Sequence, residues 1–237
     1  MRKTVRNTWE RNKHDAKLNM KLNFARLSQS STSGICEGKT FYISPVFFGI
    51  ECNMTDHPSI TTLETGLAHI RESPTDNGVL HLIVVRPQKK QRLTLQQCML
   101  SFKRGVEGDH WAKGCWKSLP DGSPDPDVQV AIMNSRCLDL IATSESRWPL
   151  AGDNLIVDLD LSVHNLKPGQ KLSIGGALLE ITAVPHTGCH YFRDRFGIDA
   201  LKFVSTQSAK ELRLRGIYAR VIQDGEIRKG DRMKKID

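Results

Sequence analysis

From Val79 to Ile236 the apolar residues come in short runs, each closed within a few positions by Gly, Pro, Asp or Asn. That rhythm constrains the fold most, because a helical layer needs apolar positions recurring every three or four residues over a longer span. Val79–Arg86 and Arg92–Phe102 are β-branched or alternating and read as a hairpin across a polar loop. Val128–Met133 and Leu155–Leu159 read as further strands. Lys171–Ile174 and Ala177–Thr182 flank Gly175-Gly176, a two-residue turn signal. Gly216–Ile222 and Glu226–Arg228, around Asp224-Gly225, predict a second hairpin, and Arg232–Ile236 a last short strand. Helices are few. Ser59 opens a short one at about 62–72, with Leu63, Leu67 and Ile70 on one face. Asn134-Ser135 caps another over Arg136–Thr143, and Phe192–Val204 carries a third apolar face. The stretch Lys103–Asp127, rich in Gly, Pro, Asp and Trp, predicts a long loop of the kind that carries function. The expected fold is mainly β with flanking helices, an α+β chain closed into a β-barrel.

Charge and cysteine usage narrow the partners. The formal net charge is +8, but residues 1–40 hold nine Lys or Arg against three acids, while the rest carries 25 against 23. A nucleic-acid reader spreads its charge over a folded face, so nucleic acid is not expected as a partner. No apolar run approaches the ~18 residues of a membrane span, so no membrane is expected either. Residues 1–53 are basic, then Ser-rich, and read as a disordered or spurious extension ahead of a domain at 54–237, with its core at 79–236. A transit peptide is the other reading of the same residues. The six cysteines form no C-x-x-C pair and match neither a zinc ribbon nor a disulfide scaffold. Reduced thiols in a cytoplasmic setting are the expectation, and Cys115, beside Trp116, is the one to watch after Cys189.

The most reactive-looking segment is Pro185-His186-Thr187-Gly188-Cys189-His190. A thiol acts as nucleophile or metal ligand in its thiolate form, which nearby cations favour. His186 precedes Cys189 by three residues, His190 adjoins it, and Arg193 and Arg195 follow. A helix opening at Cys189 would add its N-terminal partial charge, and sulfur suits a soft metal. Two readings of Cys189 stand: a functional thiol, or a small buried hydrophobe between strand and helix. His186 is the candidate acid/base or hydrogen-bonding partner.

Five stretches, in order, resemble one family. They are Gly105-Val106-Glu107-Gly108-Asp109-His110-Trp111, Ala151-Gly152-Asp153-Asn154-Leu155, Leu166-Lys167-Pro168-Gly169-Gln170 through Gly175, Pro185 to Cys189, and Arg215-Gly216-Ile217-Tyr218-Ala219-Arg220-Val221. Together they resemble the MOSC domain, the C-terminal module of molybdenum cofactor sulfurases that also occurs alone in bacteria. The stretch Asp109–Gly114 departs from the His-rich, Gly-Gly stretch of many stand-alone members. The resemblance implies a pyruvate-kinase-like barrel and a molybdenum–pterin cofactor. It implies that Cys189 either carries sulfur or ligates the metal, in sulfur transfer or in reduction of N-hydroxylated compounds. A separate electron-donor or sulfur-donor protein would then be the partner. Pyridoxal phosphate belongs to a different domain of the sulfurases and is not expected in this chain. The rival expectation is a non-catalytic carrier or small-ligand sensor.

The phosphate of such a cofactor calls for cations near the thiol. Arg215 at a strand end is the first candidate and Arg193 the second, each with solvated surface charge as its other reading. Asp109 and His110 read equally as lining of the cofactor mouth and as turn residues. Asp153 and Asn154 read first as turn and capping residues, then as pocket contacts.

Overall fold

Seven strands close on themselves. In a computed structural model that describes residues 57–236, the strands of the ring are β1 (Gly78–Val85), β5 (Val130–Asn134), β6 (Leu155–Asp158), β7 (Lys171–Ile174), β8 (Ala177–Ile181), β9 (Ile217–Gln223) and β11 (Arg232–Ile236). They pair in the order β11-β7-β8-β9-β5-β6-β1, and β1 returns to β11 through Gly78↔Met233 and Val79↔Arg232. Only β5–β6 is parallel, so the barrel is mixed. Strand β2 (Leu93–Leu95) adds to the far end of β1. A second small sheet joins β10 (Gly225–Arg228), β3 (Gln97–Ser101) and β4 (Gly105–Val106). The readings of residues 1–53 lie outside the described residues.

Period-two alternation sorts the side chains. Val130, Ile132, Leu155, Val157, Ile217, Ala219 and Val221 point into one continuous core with Leu80, Leu172 and Met233. Each fully buried aliphatic side chain contributes about 1.5–3 kcal/mol. The outward positions are buried too, by two different covers. Met133 and Ile156 take the helices: α3 (Ser135–Ala142), α4 (His190–Phe203) and the 3-10 segment Glu145–Ala151. Ala131 and Tyr218, direct cross-strand partners, instead join Val128 beneath the 103–128 segment.

The β7–β8 hairpin and β11 fall where the sequence places them, and the Asn134 side chain caps α3 by accepting from the Cys137 N–H. Other expectations need correction. Arg92–Phe102 is not one strand: its first part pairs with β1 and its second with β10. Asp224-Gly225 is not a hairpin turn either. The Asp224 carboxylate accepts from the Phe102 N–H at 2.7 Å and the Ser101 hydroxyl, which hands the chain from the barrel to the second sheet. The helix expected at 62–72 is two, α1 (Ile60–Thr65) and α2 (Leu67–Arg71), separated at Gly66. The 103–127 loop is pinned by β4, by 3-10 turns at Trp111–Lys113 and Pro126–Val128, and by a Lys117–Asp125 ion pair of 2.7 Å. Helix α4 is interrupted at Gly197 (φ 89°, ψ 167°), whose missing side chain leaves room for the His57 ring. Helix α5 (Gln207–Leu212), capped by Thr206, carries too short a pattern for the sequence to announce it.

Candidate functional site

The candidate site lies on the flank of the barrel, outside its wall, not in the barrel mouth. Ala131 and Tyr218 are its floor, and Trp111, Cys115 and Trp116 from the long segment form one wall. The turn that carries His186 and Cys189, with Tyr191 and Arg195 of α4, forms the other. The enclosed volume is about 430 Å³, inside the range that takes drug-sized ligands. Arg86, Arg92, Arg195 and Arg215 line it, and no carboxylate side chain does.

Cys189 is exposed at the edge of this cavity. It is the N-cap residue of α4, and its carbonyl accepts from the Phe192 and Arg193 N–H groups while its thiol makes no capping bond. The sulfur is therefore left for another partner. Cys98 and Cys137, in contrast, are buried, and burial pushes both thiols up to about 12. Cys115 lies along the same cavity as Cys189.

Two buried carboxylates stand behind the cavity, each holding an arginine. Asp153 receives both of its Arg215 contacts from one nitrogen, Nη1, at 2.9 and 2.8 Å, while Nη2 donates to the Ala151 carbonyl. The Arg215 guanidinium also sits 4.8 Å above the Phe192 ring. Gly216 makes this approach possible: at φ 101° the chain turns with its Cα so near the Ile132 carbonyl that a Cβ would lie 2.3 Å from the oxygen. His186 Nδ1 lies 3.4 Å from the Asp153 carboxylate but is not aligned for a hydrogen bond, and its ring stacks on Tyr218 at 4.2 Å. Burial, then the charges of Arg215 and Arg86, holds the His186 imidazole well below its ordinary value, so it is neutral. Burial also raises the Asp153 carboxyl, against the pull of Arg215. It pushes the Tyr218 phenol up to about 12.

Asp109 works differently. Its carboxylate accepts from Arg86 Nε at 2.8 Å and Nη2 at 3.0 Å, from the Arg86 and Trp111 N–H groups, and from Asn154 Nδ2. Asn154 Oδ1 in turn accepts from Arg86 Nη2 and the Ala131 N–H. Burial raises Asp109, but these donors outweigh it and hold the carboxyl below its ordinary value. Neither Asp109 nor Asn154 lines the thiol cavity, and both hold Arg86. His110 does line it, with Nδ1 against the Arg86 carbonyl. Arg193 does not line the cavity and pairs with Asp194. Arg215 is buried behind the wall rather than standing free at a lip. Arg220, on the same face of β9 as Tyr218, pairs with Asp127 and Glu180.

The sequence reading missed Arg86 and Arg92. A charged residue directly closing the apolar strand Val79–Val85 was the available signal for Arg86. Arg92 and Arg195 flank Gly152, their guanidinium nitrogens 3.3 and 3.8 Å from where its Cβ would stand. Neither has a carboxylate partner among the described residues. Nor, among those residues, do three His, Cys, Asp or Glu side chains converge as a metal cage.

Residues 125–234 match the family model of the MOSC domain, and over that stretch the chain is similar to it. The matched segment contains Asp153, His186, Cys189, Arg215 and Tyr218, whereas Arg86, Arg92, His110 and Trp111 reach the cavity from before it. Among solved structures, the YUAD protein from Bacillus subtilis aligns with TM-score 0.50 at 14% identity, over 67% of this chain and 95% of that one. The YiiM proteins from Geobacillus stearothermophilus and Escherichia coli align at TM-scores 0.46 and 0.45, with 16% and 17% identity. They cover 68% and 67% of this chain and 75% and 70% of theirs. The likeness to YUAD is one of fold. No curated protein matches the sequence significantly. No helix among the described residues is long and apolar enough to cross a membrane.

Proposed function

We propose that the flank cavity binds a molybdenum–pterin cofactor, with Cys189 as the protein's sulfur ligand to the metal or as the acceptor that carries sulfur as a persulfide. One observation carries the reading: an exposed thiol, unused in capping, edges a cavity lined by four arginines and no carboxylate. The residues fit such a group in three respects. Arg92 and Arg195, flanking the Gly152 backbone, offer unpaired cations to an anionic phosphate. Trp111, Trp116, Tyr191 and Tyr218 offer aromatic surface to a fused ring. Arg92 Nε, Arg215 Nε and His186 Nδ1 are buried without a partner, polar capacity the fold has not used.

When bound, the cofactor would supply a redox-active, thiophilic metal. The chain's own part is to hold and orient. Cys189 presents one sulfur, Arg86 is fixed by Asp109 and Asn154, and His186 stays neutral beside Asp153. A neutral imidazole can accept a proton or hydrogen bond that an imidazolium could not. Reduction of an N-hydroxylated compound would draw electrons from a separate donor protein, and sulfur transfer would draw on a separate sulfur donor. The cytoplasm is the compartment that suits an exposed reduced thiol.

Metal analysis of protein purified from molybdate-fed cells, with Cys189→Ser alongside, tests the reading. Stoichiometric molybdenum in the wild type that is lost in Cys189→Ser supports metal ligation. Cyanide-labile sulfur lost in the same variant supports the persulfide role. Wild-type protein with neither, or a Cys189→Ser protein that keeps both, overturns the proposal.

A further inference from the structure

A second and larger cavity, of about 680 Å³, lies on the other side of His186 and Arg215, which line both. The 182–188 segment, the end of α4 at Val204 and Ser205, and helix α5 enclose it. Val163, Val184, Val204, Ala209 and Ile217 give it an apolar wall. Two of its three side-chain hydroxyls are engaged elsewhere, which leaves that of Thr187: Thr182 donates to the Asp127 carbonyl at 2.7 Å, and Ser205 to the Leu201 carbonyl at 2.6 Å. A sugar or nucleotide would find little to bond there.

Arg215, on the partition, is neutralised by Asp153, so the cations without a carboxylate partner are Lys210 and Arg213. Lys210 and Arg213, from the C-terminal end of α5, line the cavity, and no Asp or Glu does. Neither cation has a carboxylate partner among the described residues. Arg213 donates only to the Leu161 and Leu166 carbonyls, from a left-handed backbone (φ 49°), and burial lowers its guanidinium from the ordinary value. An anion seated beside it would offset that burial. An apolar chamber with cations at one end is complementary to a molecule that is apolar along its body and negative at its head.

We propose that this second cavity is a binding site for an amphipathic monoanion, a carboxylate on a medium-length aliphatic body. It stands apart from the cofactor reading, since neither Cys189 nor the unpaired arginines Arg92 and Arg195 line it.

Isothermal titration of the full chain with octanoate tests it, with octanol as the neutral counterpart. Val163→Trp plugs the opening at a position already 37% exposed, and Lys210→Glu reverses the exposed cation. Trp116→Ala opens the thiol cavity and serves as the control. Octanoate should bind the wild type at least tenfold more tightly than octanol does. Affinity should fall at least tenfold in Val163→Trp and in Lys210→Glu, and stay unchanged in Trp116→Ala. The proposal is overturned by absent octanoate binding, by equal affinity for octanol, or by retained affinity in both folded cavity variants. Loss of binding in Trp116→Ala alone would place the ligand in the thiol cavity and overturn it equally.

Discussion

Two buried aspartates, Asp109 and Asp153, each hold an arginine against the same cavity, yet they leave their surroundings in opposite states. Around Asp109 every donor is spent: Arg86, Asn154 and two backbone N–H groups converge, and no atom of that cluster is left unpaired. Around Asp153 two atoms are left over, Arg215 Nε and His186 Nδ1. The first cluster is a girder that fixes Arg86 at the end of β1. The second has spare hydrogen-bonding capacity in the partition between two cavities. Completeness of bonding, rather than charge or burial, distinguishes scaffold from candidate site here.

Removing either carboxylate should break this pattern unequally. Asp153→Ala strands a guanidinium that is 7% exposed and should cost about 3–5 kcal/mol in urea unfolding. Asp109→Ala strands one that is 21% exposed and keeps its bonds to Gly152 and Asn154, so about 2–3 kcal/mol is expected. A reversed order would show that solvent access does not separate the two clusters.

Protonation gives the next effect. His186 is held neutral in the fold but protonates near pH 6.5 once unfolded, so the unfolded state binds more protons below that pH. Stability therefore falls on acidification from about pH 6.5, with a slope approaching about 1.4 kcal/mol per pH unit from this residue. Asp109, depressed in the fold, adds a further loss only as pH drops below about 4. His186→Gln should remove the upper part of the slope, read as the difference in melting temperature between pH 7 and pH 5 for the two proteins. An unchanged slope would contradict a neutral, buried imidazole. Smallest of all, Trp116→Ala should leave stability within about 0.5 kcal/mol, because the ring is 71% exposed. A larger loss in thermal unfolding would make the loop a structural wall.

The sequence showed local features well and distant ones poorly. Cys189 could be read because its neighbours His186, His190 and Arg195 lie within a few residues. The β7–β8 hairpin could be read because the turn lies between its strands. Arg86 could not be tied to Asp109, 23 residues on, nor β1 to β11 across most of the chain. Alternation put Arg215 on the face of Ile217 and Ala219, opposite Tyr218, but Gly216 at φ 101° breaks the alternation, and Arg215 and Tyr218 line the same cavity outside the barrel core. The cavity that the loop covers lies on the flank of the barrel, over Ala131 and Tyr218. Asp224-Gly225 has turn chemistry, and its side chain is committed to Ser101 and Phe102 instead.

The account depends on a reachable sulfur in positive surroundings, and selective alkylation of the native protein measures that directly. With peptide mapping at neutral pH, Cys189 should be modified well before Cys98 and Cys137. Anionic iodoacetate should gain on neutral iodoacetamide there, and lose that gain in Arg92→Gln and Arg195→Gln. A Cys189 that stays unmodified until the protein unfolds, or reacts with no preference for the anion, would contradict it.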